Sequence, residues 1–157
     1  MKYISSLATI AAFLFSTTAA SSFGVCPGNE SLFSLRNARV DGDSIYPTKE
    51  ICIVITGNLE IDLPGDKSSI EFTVGKPDGK SYAWSLPIYN SIKASAETSP
   101  VPIVKGSPRV IRPCFYFPTD VPVTSGDTAS IRVQVKTRDP DNSLVRVSCV
   151  ESNVHVS

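Results

Sequence analysis

Apolar and polar residues alternate with a period of two along most of the chain. Ile51, Ile53, Ile55, Leu59 and Ile61 share one parity. Glu50, Thr56, Asn58 and Glu60 take the other, with Cys52 and Val54. Successive strand side chains point to opposite faces, so this run predicts a half-buried strand. Gly57 interrupts it and marks a bulge or a close approach. Ile70, Phe72 and Val74 alternate with Ser69, Glu71 and Thr73. Tyr82, Trp84 and Leu86 repeat the pattern up to Pro87, and Ile131, Val133 and Val135 oppose Arg132, Gln134 and Lys136. Val145, Val147 and Cys149 alternate, after which Val150, Val154 and Val156 take the other parity; that switch predicts a bulge or bend near Cys149. Weaker strands are expected around 33–40 and 108–117.

Turn-forming clusters separate these runs: Asp41-Gly42-Asp43, Pro64-Gly65-Asp66, Pro77-Asp78-Gly79, Ser125-Gly126-Asp127 and Asp139-Pro140-Asp141-Asn142. Lys76 to Lys80, between two alternating runs, reads as a hairpin. Helical periodicity is absent. The expected fold is all-β, an immunoglobulin-like antiparallel β-sandwich of about seven strands. Asn90 to Gly106 stands apart, being long, without alternation and carrying Pro100 and Pro102. It reads either as a functional loop or as a plain crossover between sheets.

The first twenty residues follow a different rule. Lys2 gives a positive start, Ile4 to Phe15 is largely apolar, and Thr18 and Ala20 are small. This is the pattern of a secretory signal peptide, residues 1–20, cut after Ala20. The apolar core is too short for a membrane span, which takes about 20 residues. Residues 21–157 then form one domain, long enough to bury a core. Of the fifteen basic residues Lys2 falls in the leader, leaving fourteen against fifteen acidic ones, scattered singly. Such a surface argues against nucleic acid as a partner and against a polybasic membrane patch.

All four cysteines, Cys26, Cys52, Cys114 and Cys149, lie beyond the leader. An even count in a secreted chain predicts two disulfides, and the sequence leaves all three pairings open. Asn29-Glu30-Ser31 is a glycosylation sequon that is used or idle. No metal site is expected: there is no C-x-x-C, and the one histidine is His155. As a catalytic base His155 stands at a chain end, and no nucleophile elbow, phosphate-cradling loop or H-E-x-x-H occurs. The acidic pairs Asp41/Asp43 and Asp139/Asp141 could hold calcium or act as acid and base, but turn formation accounts for them more simply. Neither enzymatic activity nor a cofactor is expected.

Phe72, Tyr82, Trp84, Tyr89, Phe115, Tyr116 and Phe117 supply much large apolar surface, either as ordinary core or as the lining of a cavity. The order of features resembles the ML-domain family of secreted lipid-recognition β-sandwiches, which includes fungal phosphatidylglycerol/phosphatidylinositol transfer proteins and the sterol carrier linked to Niemann–Pick type C disease. An early Cys26 is followed by the strand Ile51 to Leu59. Pro100-Val101-Pro102-Ile103-Val104-Lys105-Gly106 is similar to the family's C-P-x-x-K-G segment. Phe117 to Pro122, leading to Gly126, and a closing hairpin ending at Cys149 complete the set. Val101 stands where the family usually has cysteine, so the hairpin disulfide of many members cannot form here. The resemblance implies a Cys26–Cys149 pairing and leaves Cys52 and Cys114 without a family precedent.

It further implies an apolar cavity between the sheets that takes a sterol or phospholipid acyl chain. The lining residues it suggests are Ile53, Ile55, Phe72, Val74, Tyr82, Trp84, Ile103, Phe115, Phe117, Val133 and Val135, with Lys105 near the mouth. The expectation is a monomeric lipid-binding or lipid-transfer protein, secreted or delivered to a vacuole or lysosome lumen, making transient membrane contact. The alternative is a non-enzymatic recognition module that binds protein or glycan through its loops.

Overall fold

A computed structural model describes residues 22–27, 32–42, 44–93, 95–118 and 120–157. The expected leader and the Asn29 sequon lie outside these residues, as does Asp43. The described chain forms β1 (Gly24–Val25), β2 (Phe33–Val40), β3 (Ile51–Leu59), β4 (Ser68–Gly75), β5 (Ser81–Pro87), one helical turn α1 (Ile88–Ser91), β6 (Gly106–Ile111), β7 (Cys114–Phe115), β8 (Thr128–Arg138) and β9 (Leu144–His155). All strand ladders are antiparallel. One sheet has the order β1-β9-β8-β4-β5; the other has β2-β3-β6, with β7 also on β3. The all-β sandwich is therefore the fold.

The alternation in sequence becomes alternation in space. In β4, Ser68, Ile70, Phe72 and Val74 are buried and the residues between them are half-buried. Ile53, Ile55, Ile70, Phe72, Val74, Ile131, Val133 and Val135 meet in one core between the sheets. The β4–β5 hairpin turns at Lys76–Lys80, where Lys76 N–H donates to Lys80 O at 2.8 Å and Asp78 Oδ1 accepts from Lys80 N–H at 3.0 Å. Gly79 takes φ +84°, a region that favours glycine. The expected irregularity near Cys149 is a bulge at Val147: Val135 pairs with Ser148 and Lys136 with Arg146, leaving Val147 as the extra residue.

Gly57 combines both features expected of it. The β3–β6 register shifts just beyond it, and a Cβ there would collide with Ser34 O and the Phe33 ring. Gly57→Ala should therefore cost about 1–3 kcal/mol, as overpacking does. A denaturant titration with an unchanged midpoint would contradict the close packing of β2 on β3.

Both disulfides are formed. Cys26–Cys149, the pairing implied by the resemblance, ties the β1 end to β9, with Cys26 N–H donating to Cys149 O at 3.1 Å. Cys52–Cys114 crosses the β3–β7 pair, whose Cα atoms lie 4.1 Å apart. The sheets are also joined at their β1 and β2 edges, where Phe23 N–H donates to Ala38 O at 3.1 Å. The 90–106 segment is a crossover from β5 to β6 that is pinned along its course. Ile92 bridges Pro113, Ser99 N–H donates to Val110 O, and Ile103 and Leu63 exchange two backbone hydrogen bonds.

Candidate functional site

The long axis of the sandwich has two chemically different ends. At one end, β3 begins at Ile51, paired with Phe115 of β7. Phe72 of β4 lies 4.6 Å from Phe115, ring centroid to ring centroid. Trp84 of β5 lies 5.7 Å from each of them, and Phe115 lies 5.9 Å from Phe117. The β4–β5 register sets this cluster, since Phe72 pairs with Trp84 and Val74 with Tyr82. Phe72 is fully buried, whereas Tyr82, Trp84 and Leu86 are only half-buried, because β5 is the sheet edge. The result is an aromatic seam along the β5 edge.

The suggested lining residues Ile53, Ile55, Phe72, Val74, Ile103, Phe115, Phe117, Val133 and Val135 are buried, with Tyr82 and Trp84 packed against them. Lys105 lies elsewhere. It is exposed at the opposite end, beside Gly106, which pairs with Leu59. Leu59 follows Ile51 by eight residues on β3, a span of about 26 Å at strand rise.

At that opposite end an apolar depression of about 400 Å³ opens between the two sheets. Leu32 and Ile61, flanking β2 and β3, form one wall. Thr137 and Arg138 of β8 and Val145 of β9 form the other, with Pro64, Pro140, Asp62, Lys67 and Asp139 completing it. The Thr137 hydroxyl is buried and satisfied by Ser68 Oγ at 2.9 Å, so it asks no polar partner of an occupant. Sequence reasoning missed this site. Leu32, Ile61 and Val145 lie at or just beyond strand ends, and only the stacking of the sheets brings them together. Lys105 adjoins it, since its backbone N–H donates to Asp62 Oδ1 at 2.8 Å.

Of the polar candidates, Asp41 and Asp139 have structural partners. Asp41 Oδ2 accepts from Arg112 Nη2 at 2.6 Å and Nε at 2.7 Å. Asp139 Oδ1 accepts from Ser143 N–H at 2.8 Å, and Asn142 completes that turn at φ +64°. His155 is exposed at the end of β9. Glu50, Cys52 and Cys114 place an oxygen and two sulfurs within 4.8 Å of one another, but the sulfurs are joined and have no thiolate to offer a metal.

Asp127 is held below the usual aspartate range, first by the Thr124 backbone N–H and then by the Thr124 hydroxyl; Lys76 adds a smaller pull in the same direction. A carboxyl depressed on folding stabilises the fold fully above its unfolded value of 3.8, and the contribution is lost as pH falls through the lowered folded value. Asp127→Asn should therefore flatten the pH dependence of stability below about pH 4 and leave the slope near neutrality unchanged. Thermal melts across pH 2–7 check this; an unaltered acid limb would contradict it.

No protein-family model matches this chain, and a search of curated proteins found no match. Solved structures do share its fold. The C-terminal domain of Wzt superposes with a TM-score of 0.53 at 10% identity, over 87% of this chain and 78% of that one. A Niemann-Pick type C2 protein from Japanese carpenter ant superposes with a TM-score of 0.51 at 15% identity, over 86% of this chain and 98% of that one. At such identities the likeness concerns the two-sheet sandwich itself. Two disulfides in this fold are consistent with a secreted or lumenal protein. No helix among the described residues is long and apolar enough to cross a membrane.

Proposed function

We propose that this chain is a secreted, non-enzymatic lipid-binding protein, the leader 1–20 being removed, that carries a sterol or phospholipid acyl chain between its two β-sheets. The observation that carries the reading is the apolar depression between the sheets, walled by residues of both. Beyond it lies an interior of aliphatic and aromatic side chains that ends at the Phe72–Trp84–Phe115 seam. A buried chain gains about 0.8 kcal/mol per methylene, so apolar contact alone supplies affinity. The interior side chains cluster into one core, so an incoming tail displaces some of them, most readily the half-buried Tyr82, Trp84 and Leu86 at the β5 edge. Likeness of fold to a Niemann-Pick type C2 protein supports the same reading. The protein acts as a monomer that touches membranes transiently, outside the cell or in a vacuole or lysosome lumen.

Trp84 is the sole tryptophan and serves as the reporter. Titrating delipidated protein with a sterol or a phospholipid should shift or quench its emission saturably, and Trp84→Ala, which removes that reporter and is read by native mass, should weaken binding in a folded protein. No response in emission and no uptake by wild type would overturn the proposal.

A second reading has its own observation. The 90–106 crossover and the outer face of the β2-β3-β6 sheet enclose a polar depression of about 490 Å³ lined by Arg39, Asp41, Glu97, Thr98 and Arg112. A recognition module would bind protein or glycan there, and substitutions at Arg39 and Glu97 would abolish partner binding with no effect on lipid.

A further inference from the structure

Four charged side chains border the apolar depression: Asp62, Lys67, Arg138 and Asp139. They are not equally free. Asp62 Oδ1 accepts from the Lys105 backbone N–H at 2.8 Å, and Asp139 Oδ1 accepts from the Ser143 backbone N–H at 2.8 Å. Each carboxylate thus has one oxygen engaged by a backbone N–H. Arg138 donates Nη1 to Asn142 O at 2.9 Å, and among the described residues Nη2 and Nε have no acceptor. The Lys67 ammonium has no partner among the described residues. The two cations are also neighbours, since Arg138 N–H donates to Lys67 O at 3.1 Å. Both border a second depression of about 380 Å³ of mixed character, where Leu86, Pro87 and Leu144 lie beside Asp66, Ser69 and Ser85. Lys67 and Arg138 therefore stand together on the rim between the two depressions, with the apolar wall of Leu32, Ile61 and Val145 on one side and the mixed lining on the other.

From this arrangement we propose that the depression is the entry of the lipid site, and that Lys67 and Arg138 select an amphiphile with an anionic head, a phosphate or a carboxylate, over an uncharged one. The inference rests on the lipid-binding reading and adds to it the class of head group and the residues that choose it. The geometry matches charge to function: the tail meets Leu32, Ile61 and Val145, while the head stays at the rim, where a guanidinium and an ammonium offer donors to anionic oxygens. Placing the charges at the rim avoids the cost of burying an ion.

The test uses delipidated mature protein and two matched pairs of ligands, with Trp84 emission and native mass as readouts. Oleate is compared with methyl oleate, and 1-oleoyl lysophosphatidate with monoolein; within each pair the charge is the main difference. The wild type should bind the anionic member about tenfold more tightly, the worth of one charged hydrogen bond. The larger preference identifies carboxylate or phosphate as the natural head. Lys67→Gln with Arg138→Gln should abolish the preference while affinity for the neutral members stays. Lys67→Gln alone, at an ammonium without a hydrogen-bond or ion-pair partner among the described residues, should reduce it and keeps the test open if Arg138→Gln disturbs the β8–β9 turn. A preference unchanged in both variants, or absent in wild type that does bind the neutral members, overturns this inference and leaves the lipid-binding reading standing. Failure of wild type to bind any of the four, or a sterol or phospholipid offered beside them, overturns both.

Discussion

Replacing Cys26 and Cys149 together by serine is expected to lower the unfolding free energy by about 4–5 kcal/mol. The bond closes a loop of sequence separation 123, and the loop-closure entropy it removes from the unfolded chain sets that figure in the chain-entropy model. The loss is large against the roughly 5–15 kcal/mol by which a domain is stable. It also falls at a joint. β1 is two residues long and meets β9 through Gly24 and Val25, opposite Glu151 and Val150, with the buried Phe23 and its N–H bond to Ala38 O as the neighbouring ties. Denaturant titration without reductant measures the change. A loss below about 1 kcal/mol would mean that the unfolded chain already holds its ends together, or that the β1–β9 joint contributes little.

Phe72→Ala is expected to cost about 3–5 kcal/mol, as truncation of a fully buried aromatic side chain does. Phe72 sits in mid-sheet, between Val133 of β8 and Trp84 of β5, and its ring meets Phe115 of the opposing sheet. No single neighbour can collapse into the space without breaking the seam. On the proposed function this variant has a second signature. The vacated volume lies in the path of the lipid tail, so saturating ligand should recover part of the lost stability by binding only the folded state. Melting curves of the variant with and without ligand read both effects. A variant as stable as wild type would contradict the packing, and a loss that no lipid recovers would place Phe72 off the ligand path.

The fold was legible because each of its longer strands writes its own pattern. In β3, β4 and β8 the buried face repeats every second residue, and the five-residue turn from Lys76 to Lys80 carries its own chemistry. β1 escaped notice, since two residues cannot display a period. The stretch around 108–117 divides into β6 and β7 at Arg112 and Pro113, where proline has no N–H to give a ladder. The 90–106 segment could not be assigned from sequence because its partners, Pro113, Val110 and Leu63, are distant in the chain. The interior residues were likewise recognisable from their parity, whereas the proposed entry was not. Leu32, Ile61, Lys67, Arg138 and Val145 come from separate elements, and each taken alone is an unremarkable residue at a turn or strand end. Lys105, singled out by resemblance, falls beside that entry through Asp62 and away from the aromatic seam.

Native mass spectrometry of the purified protein, before and after extraction with organic solvent, tests lipid carriage most directly. The account predicts a mass excess equal to one lipid, removed by extraction and restored when lipid is supplied. A bare polypeptide mass, with no uptake of sterols or phospholipids offered in excess, would contradict it and turn attention to the polar depression beneath the 90–106 crossover.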